Sequence, residues 1–99
     1  MLNIEKTLNE NAAVLTLEGR LDTITAPDLE EAIGELLPQL GELTLDFTKL
    51  EYISSAGLRV LLSAQKRIQG KGSMRLIGVS SSIMEIFEVT GFADFLTIE

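Results

Sequence analysis

The sequence predicts an α/β fold in which an N-terminal hairpin leads into a largely parallel sheet, with residues 1–99 forming one domain. Two observations predict this class. Two apolar segments flank a turn cluster near the N-terminus, and strand-like segments then alternate with amphipathic helices of about a dozen residues. Such alternation implies right-handed crossovers, so we expect the later strands to run parallel.

The hairpin occupies the first 22 residues. Leu2 and Ile4 begin an alternating edge strand, and the polar cluster at residues 9–11 is typical of a turn. The apolar run at residues 13–17 predicts the second strand, and residues 19–22 lead out of it.

A first amphipathic helix follows the hairpin. Thr25 is predicted to cap it, with Pro27 in the first turn, and Pro38 and Gly41 end it. Its apolar positions recur at helical spacing and are Leu29, Ile33, Leu36 and Leu37.

The central segment combines a strand with a second helix. Residues 43–47 alternate with period two and predict a strand, and residues 48–53 are expected to lead out of it. The helix begins at Ser54 or Ser55 and ends before Gly70. Its predicted inner face contains Leu58, Leu61, Leu62, Gln65 and Ile68.

The C-terminal segment predicts a further strand at residues 74–79 and a third helix. The serines at 80–82 cap this helix, and Gly91 lies at its C-terminal end. Residues 95–98 predict a last short strand. The apolar positions of the helix are Ile83, Met84, Ile86, Phe87 and Val89.

Composition excludes several functions. Fifteen acidic residues against eight basic ones give a formal charge of −7, which argues against binding nucleic acid or an anionic membrane. The absence of His and Cys excludes a Ser-His-Asp triad, a thiolate nucleophile and a disulfide. No apolar run approaches the ~20 residues of a membrane span, and the first residues do not resemble a signal peptide. We therefore expect a cytoplasmic protein without cofactor or metal.

The serine pair before the second helix is the most informative feature. Unpaired backbone N–H groups and the helix dipole stabilise an anion at a helix N-terminus, so a phosphate on Ser54 or Ser55 would not melt the helix. It would add roughly −1.5 to −2 charges to the surrounding surface. The alternative is that both serines are ordinary N-caps.

Other candidate residues have plainer alternatives. Gly57, which is unfavourable in a helix, could allow a partner or another backbone to approach closely, or could serve close packing of the helix on a strand within the fold. Asp22 and Asp46 follow predicted strands, where two carboxylates could hold a metal or act as acid and base, although turn formation or capping is the usual role of such residues. Four basic residues on or after the second helix could steer an acidic partner or form a solvated face: Arg59, Lys66, Arg67 and Lys71.

Three blocks carry a family resemblance: a Gly-x-Leu-Asp block within residues 17–26, the strand-to-helix segment at residues 45–58, and residues 89–92. Over nearly its whole length the chain resembles STAS-domain proteins of the anti-sigma factor antagonist kind. The resemblance implies a small mixed sheet with helices packed mainly on one side. It also implies phosphorylation of Ser55, two residues before Gly57; Ser54 stands where the family usually has Asp and is a second acceptor.

The resemblance further implies a partner-switching cycle without enzymatic activity. The unphosphorylated protein binds an anti-sigma factor that is also a serine kinase, phosphorylation releases it, and a PP2C-type phosphatase resets the cycle. We expect a monomer or weak dimer. The implied contact residues are Asp22, Thr25, Ser54, Ser55, Ala56, Gly57 and Leu58.

Two other functions compete with this one. The chain could be a small cytosolic STAS subunit that regulates a transporter or a lipid-transport complex without a phosphate switch. It could also be an acid–base enzyme that uses Asp22 and Asp46, although no nucleophile accompanies them.

Overall fold

A computed structural model describes residues 1–39 and 41–99. It contains a four-stranded sheet in the order β1-β2-β3-β4. The first pair is antiparallel and the other two pairs are parallel, which confirms the predicted hairpin and parallel sheet. The strands are β1 (Leu2–Asn9), β2 (Ala12–Leu21), β3 (Glu42–Ile53) and β4 (Ser73–Ile77).

Three helices connect and follow these strands. They are α1 (Ala26–Leu36), α2 (Ser55–Ile68) and α3 (Ser81–Thr90). Short 3-10 turns follow α1 and α3, at Leu37–Gln39 and Phe92–Asp94. Among the described residues, no helix is long and apolar enough to cross a membrane.

One face of the sheet forms the core. Leu15, Leu45 and Leu76 lie side by side across β2, β3 and β4, and each is fully buried. The helices cover this face: Phe87 of α3 lies 6.3 Å from Phe47 of β3, measured between ring centroids. Thr44 on the opposite face is buried, but the neighbouring Asp46 and Thr16 are only partly buried. The helices therefore lie mainly on one side, as the resemblance implied.

Strand β3 is longer than the sequence predicts. Residues 48–53 were expected to leave the strand, but the structure continues it to Ile53. The register with β2 shifts twice in this part, so the buried residues Phe47, Leu50 and Ile53 are spaced by three rather than two. These shifts remove the period-two pattern from which the strand would have been predicted.

Two predictions at the C-terminal end are wrong. Residues 95–98 form no strand; instead Ile98 makes one parallel bridge with Leu76, and Phe95 is 63% exposed. Val89, predicted to lie on the apolar side of α3, is 82% exposed, and α3 buries Ile83 and Phe87. A helix of ten residues that packs on one side has room for few buried positions.

The caps of α3 follow the sequence more closely. Ser80 is the N-cap, and its Oγ accepts a hydrogen bond from the Ile83 N–H at 3.3 Å. Gly91 ends the helix in the left-handed conformation, with φ 82°. Serine and glycine at these positions are the usual means of closing a helix, so both ends of α3 were predictable.

The hairpin turn gives a first testable prediction. Glu10 adopts a φ of 58°, a left-handed value that a residue with a Cβ disfavours. Because Glu10 is exposed, Glu10→Gly is expected to raise the free energy of unfolding by about 1 kcal/mol. Urea denaturation measures this. A loss of stability would show that the flexibility of glycine in the unfolded chain outweighs the relief of strain.

Candidate functional site

The two serines at the start of α2 have different roles. Ser54 is the N-cap: its backbone is extended, and its Oγ accepts a hydrogen bond from the Gly57 N–H at 3.4 Å. Its own N–H donates to the Leu21 carbonyl at 2.9 Å, which joins α2 to the end of β2. Ser55 is the first residue of the helix and is exposed. Capping therefore occupies Ser54 and leaves the Ser55 hydroxyl at the surface.

Gly57 allows the first turn of α2 to lie against the core. A Cβ at this position would lie 2.8 Å from the Leu21 Cγ and 2.8 Å from the Ile53 Cγ1. Both of these side chains are buried, at 0% and 3% exposure, and Leu58 is buried beside them. The glycine thus serves close packing within the fold, the plainer of its two predicted roles.

The loop between β2 and α1 is held by Asp22 and Thr25. The Asp22 Oδ1 accepts hydrogen bonds from the N–H groups of Ile24 and Thr25, each at 3.0 Å. The Thr25 Oγ1 accepts from the Asp22 N–H at 2.9 Å and donates to the Arg20 carbonyl at 2.8 Å. Thr25 was expected to cap α1, but its side chain makes no cap hydrogen bond because it is turned back toward the loop.

These contacts change the acidity of Asp22. The hydrogen bond from the Thr25 N–H, supported by the Thr25 hydroxyl and the Ile24 N–H, lowers the pKa of the Asp22 carboxyl from its ordinary value of 3.8. The loop is therefore stabilised by the ionised carboxylate.

A pH-dependent stability follows. The folded-state pKa of Asp22 is below 3.8, so its stabilising contribution is complete above that pH and is lost as the pH falls through the folded-state value. Asp22→Asn is expected to lower the thermal midpoint at neutral pH, and the difference from the native chain is expected to shrink in acid. Thermal scans of both proteins across this range test the prediction. A difference that stays constant with pH would contradict it.

The β2–α1 loop and the start of α2 lie next to each other, at the carboxyl ends of β2 and β3. Leu21 and Ile53 are register partners at the ends of the parallel strands β2 and β3, as are Arg20 and Tyr52. The Arg20 guanidinium lies 4.2 Å from the centroid of the Tyr52 ring, and its Nε is 4.0 Å from the Asp22 Oδ2. Arg20 thereby contacts both Tyr52 near the end of β3 and Asp22 in the β2–α1 loop.

The predicted site residues divide into two groups. Four of them lie around the carboxyl ends of β2 and β3 and are at least partly exposed: Asp22, Ser54, Ser55 and Ala56. The other three, Thr25, Gly57 and Leu58, are buried, and Thr25 and Leu58 are each 7% exposed. They lie beneath the exposed residues.

Two exposed residues of the site were missed from the sequence. Ile24 is 85% exposed at the tip of the β2–α1 loop, and Tyr52 is 39% exposed beside Arg20. A large apolar residue between two loop-forming residues was a usable signal for Ile24. Tyr52 required knowing that β3 continues to Ile53. We call Asp22, Ile24, Tyr52, Ser55 and Ala56 the switch surface.

The acid–base alternative is not supported by the geometry. Asp46 pairs with Thr16 in the middle of the sheet, and its carboxylate accepts hydrogen bonds from the Thr48 N–H at 2.9 Å and the Thr48 hydroxyl at 2.6 Å. Asp22 follows the end of β2, on the order of 20 Å away along the strands. The Asp22 carboxylate holds the β2–α1 loop and the Asp46 carboxylate binds Thr48 within β3, so the two do not share a site.

Comparisons with known proteins find relatives that match nearly the whole chain. A family model described as the STAS domain matches residues 3–99. An anti-sigma-B factor antagonist of Bacillus subtilis is 29% identical over 98% of this chain and 90% of its own length.

Two solved structures share the fold. An anti-sigma factor antagonist of Mycobacterium paratuberculosis superimposes with a TM-score of 0.90 at 20% identity, covering 99% of this chain and 85% of the other. The Bacillus cell fate determinant SpoIIAA in its phosphorylated form has a TM-score of 0.76 at 17% identity and covers 100% of this chain and 91% of its own.

Proposed function

Since the chain belongs to the STAS domain family, we propose that it acts as an anti-sigma factor antagonist whose partner binding is controlled by phosphorylation of Ser55. In this proposal residues 1–99 form one STAS domain that works without enzymatic activity in the cytoplasm, as a monomer or weak dimer. The unphosphorylated switch surface binds an anti-sigma factor, and the sigma factor that the anti-sigma factor had bound is released.

One observation carries the proposal: Ser55 is exposed at the first position of α2, while Ser54 supplies the cap. A phosphoryl group on the Ser55 Oγ would therefore leave the cap in place. Its negative charge would lie at the positive end of the helix dipole, which is a favourable position. The fold can thus persist while the surface changes charge.

The phosphoryl donor in this cycle is ATP bound by the anti-sigma factor, which acts as a serine kinase. The γ-phosphoryl group passes to the Ser55 Oγ, ADP remains on the kinase, and the hydroxyl proton leaves with a base of the kinase. The complex then dissociates, because the partner meets new charge and bulk. A PP2C-type phosphatase hydrolyses the phosphoserine and restores binding.

Intact-mass spectrometry tests the acceptor. The protein is incubated with ATP, Mg²⁺ and the purified anti-sigma factor kinase encoded by the same organism, as the native chain, as Ser55→Ala and as Ser54→Ala. One phosphate is expected on the native chain and on Ser54→Ala, and none on Ser55→Ala.

Two other outcomes would change the proposal. Loss of the phosphate only in Ser54→Ala would keep the switch and move its acceptor. No phosphate on any variant, with a kinase shown to be active on another substrate, would overturn the switch and favour a constitutive binding module of a transporter or lipid-transport complex.

A further inference from the structure

A second surface of the molecule has a charge opposite to that of the chain. The net charge is −7, yet four of the eight basic residues lie on α2 or just beyond it, and all four are exposed. Among residues 1–39 and 41–99 the ion pairs involve Arg20 and Arg75, so α2 contributes no cation to them. The four are Arg59, Lys66, Arg67 and Lys71.

Two open grooves lie along the same helix. One, of about 460 Å³, runs between Arg59, Leu62, Lys66 and Arg67. The other, of about 480 Å³, separates the second half of α2 from the turn that follows α3. Leu62 and Lys66 belong to both grooves, which makes them the ridge between the two.

The second groove combines apolar and polar features. Leu62, Phe92 and Phe95 line it, and Phe95 is 63% exposed although it is a large apolar side chain. Gln65 lines the same groove, although its Oε1 is buried and has no hydrogen-bond partner in the part of the chain that the structure describes. Asp94 is the acidic group on this wall. An exposed phenylalanine favours an occupant that brings apolar surface.

We propose that this outer face of α2 binds an acidic, amphipathic helical segment of a partner protein. Arg59, Lys66 and Arg67 extend over about 12 Å of helix. Carboxylates spaced over about two turns of an opposing helix could therefore pair with all three. Apolar side chains of the same segment would cover Leu62 and Phe95. We name these five residues the α2 docking face.

Charge complementarity selects this occupant. Glutamate-rich segments are repelled by the rest of this acidic chain, so they are directed to the cationic face of α2. A nucleic acid is disfavoured, because the net charge of −7 repels its phosphates and four cations neutralise few of them. Arg59 lies one helical turn from Ser55, but Lys66 lies about 16 Å from it along the helix axis, so the face extends well beyond the switch surface. The inference therefore goes beyond the proposed phosphate switch and stands without it.

Fluorescence anisotropy tests the proposal with a defined probe. The probe is a fluorescein-labelled 16-residue helix with leucines on one side and glutamates on the other, and its matched control carries glutamine for each glutamate. Saturable binding of the glutamate peptide is expected, with at least ~10-fold weaker binding of the glutamine peptide and a steep loss of affinity as salt rises. Equal binding of the two peptides would overturn the proposal.

Two variants of the chain locate the site. Lys66→Glu is expected to weaken binding by at least ~10-fold, whereas Lys49→Glu makes the same charge change at an exposed residue of β3 and is expected to weaken it less than ~2-fold. Equal losses would mean that net charge alone attracts the peptide, which overturns the site.

A measurement on the native chain avoids any effect of substitution on folding. Titration with the glutamate peptide is expected to shift the backbone amide resonances of residues 59–69 and 92–95 in ¹⁵N-correlated spectra. Shifts confined to the switch surface, or none, would overturn the proposal. Binding to phosphatidylglycerol vesicles without binding to the peptide would overturn it also and would assign the face to a membrane.

Discussion

Gly57→Val is expected to lower the free energy of unfolding by about 3 kcal/mol. Any Cβ at this position meets Leu21 and Ile53 at 2.8 Å, and both residues are held in the core by their strands. Alanine adds one methyl group and gains about 1 kcal/mol of helix propensity, so Gly57→Ala is expected to cost less, about 1–2 kcal/mol. Urea denaturation of the two variants measures both values.

Gly34 offers a matched control within α1. A Cβ there would meet only the Arg67 guanidinium, at 3.7 Å, which is an ordinary contact. Gly34→Ala is therefore expected to raise the free energy of unfolding by about 0.5–1 kcal/mol. The same substitution in two helices should thus have opposite signs. If Gly57→Ala also stabilised the protein, the close packing of α2 against Leu21 would not be the reason for glycine.

Phosphorylation of Ser55 is expected to weaken binding to the anti-sigma factor about 100-fold, equivalent to about 2.7 kcal/mol. The reason is electrostatic and steric: a doubly charged group would stand between Ala56 and the partner. The free energy of unfolding is expected to change by less than about 1 kcal/mol, because the charge lies at the N-terminus of α2. Isothermal titration calorimetry gives the first quantity and urea denaturation the second.

A substitution at Ser54 distinguishes the effect on stability from the effect on partner binding. Ser54→Ala removes the N-cap and is expected to cost about 1 kcal/mol of stability, while phosphorylation of Ser55 and its effect on binding persist. A phosphorylated native chain that unfolds much more easily than the unphosphorylated one would argue against a surface switch. Release would then result from a change of fold.

The start of α2 was predictable because its signals are local. Ser54 is a strong capping residue, Ile53 ends the preceding apolar strand, and the helix follows at once. The sequence left two acceptors open, and the structure separates them by role: one hydroxyl is used by the cap, and the other is at the surface.

The opposite loop was less predictable, because two residues compete for the same hydrogen bonds. Asp22 and Thr25 are both good capping residues, and local sequence does not say which side chain turns inward. In the structure the Asp22 carboxylate accepts hydrogen bonds from the N–H groups of Ile24 and Thr25, whereas the Thr25 hydroxyl donates to the Arg20 carbonyl. The contact between Arg20 and Tyr52 depends on the register of two strands separated by a whole helix, so no local pattern contains it.

The edges of the sheet determine how partners can attach. On the outer side of β4, the Leu76 N–H donates to the Thr97 carbonyl at 2.8 Å, and the Glu99 N–H donates to the Leu76 carbonyl at 2.9 Å. At the other edge, β1 presents the exposed charges of Glu5 and Lys6. A protein that added a strand beside β4 would first have to displace the C-terminal residues. Strand addition, a common means of peptide recognition, is thus disfavoured at that edge, and recognition is left to loops and helix faces.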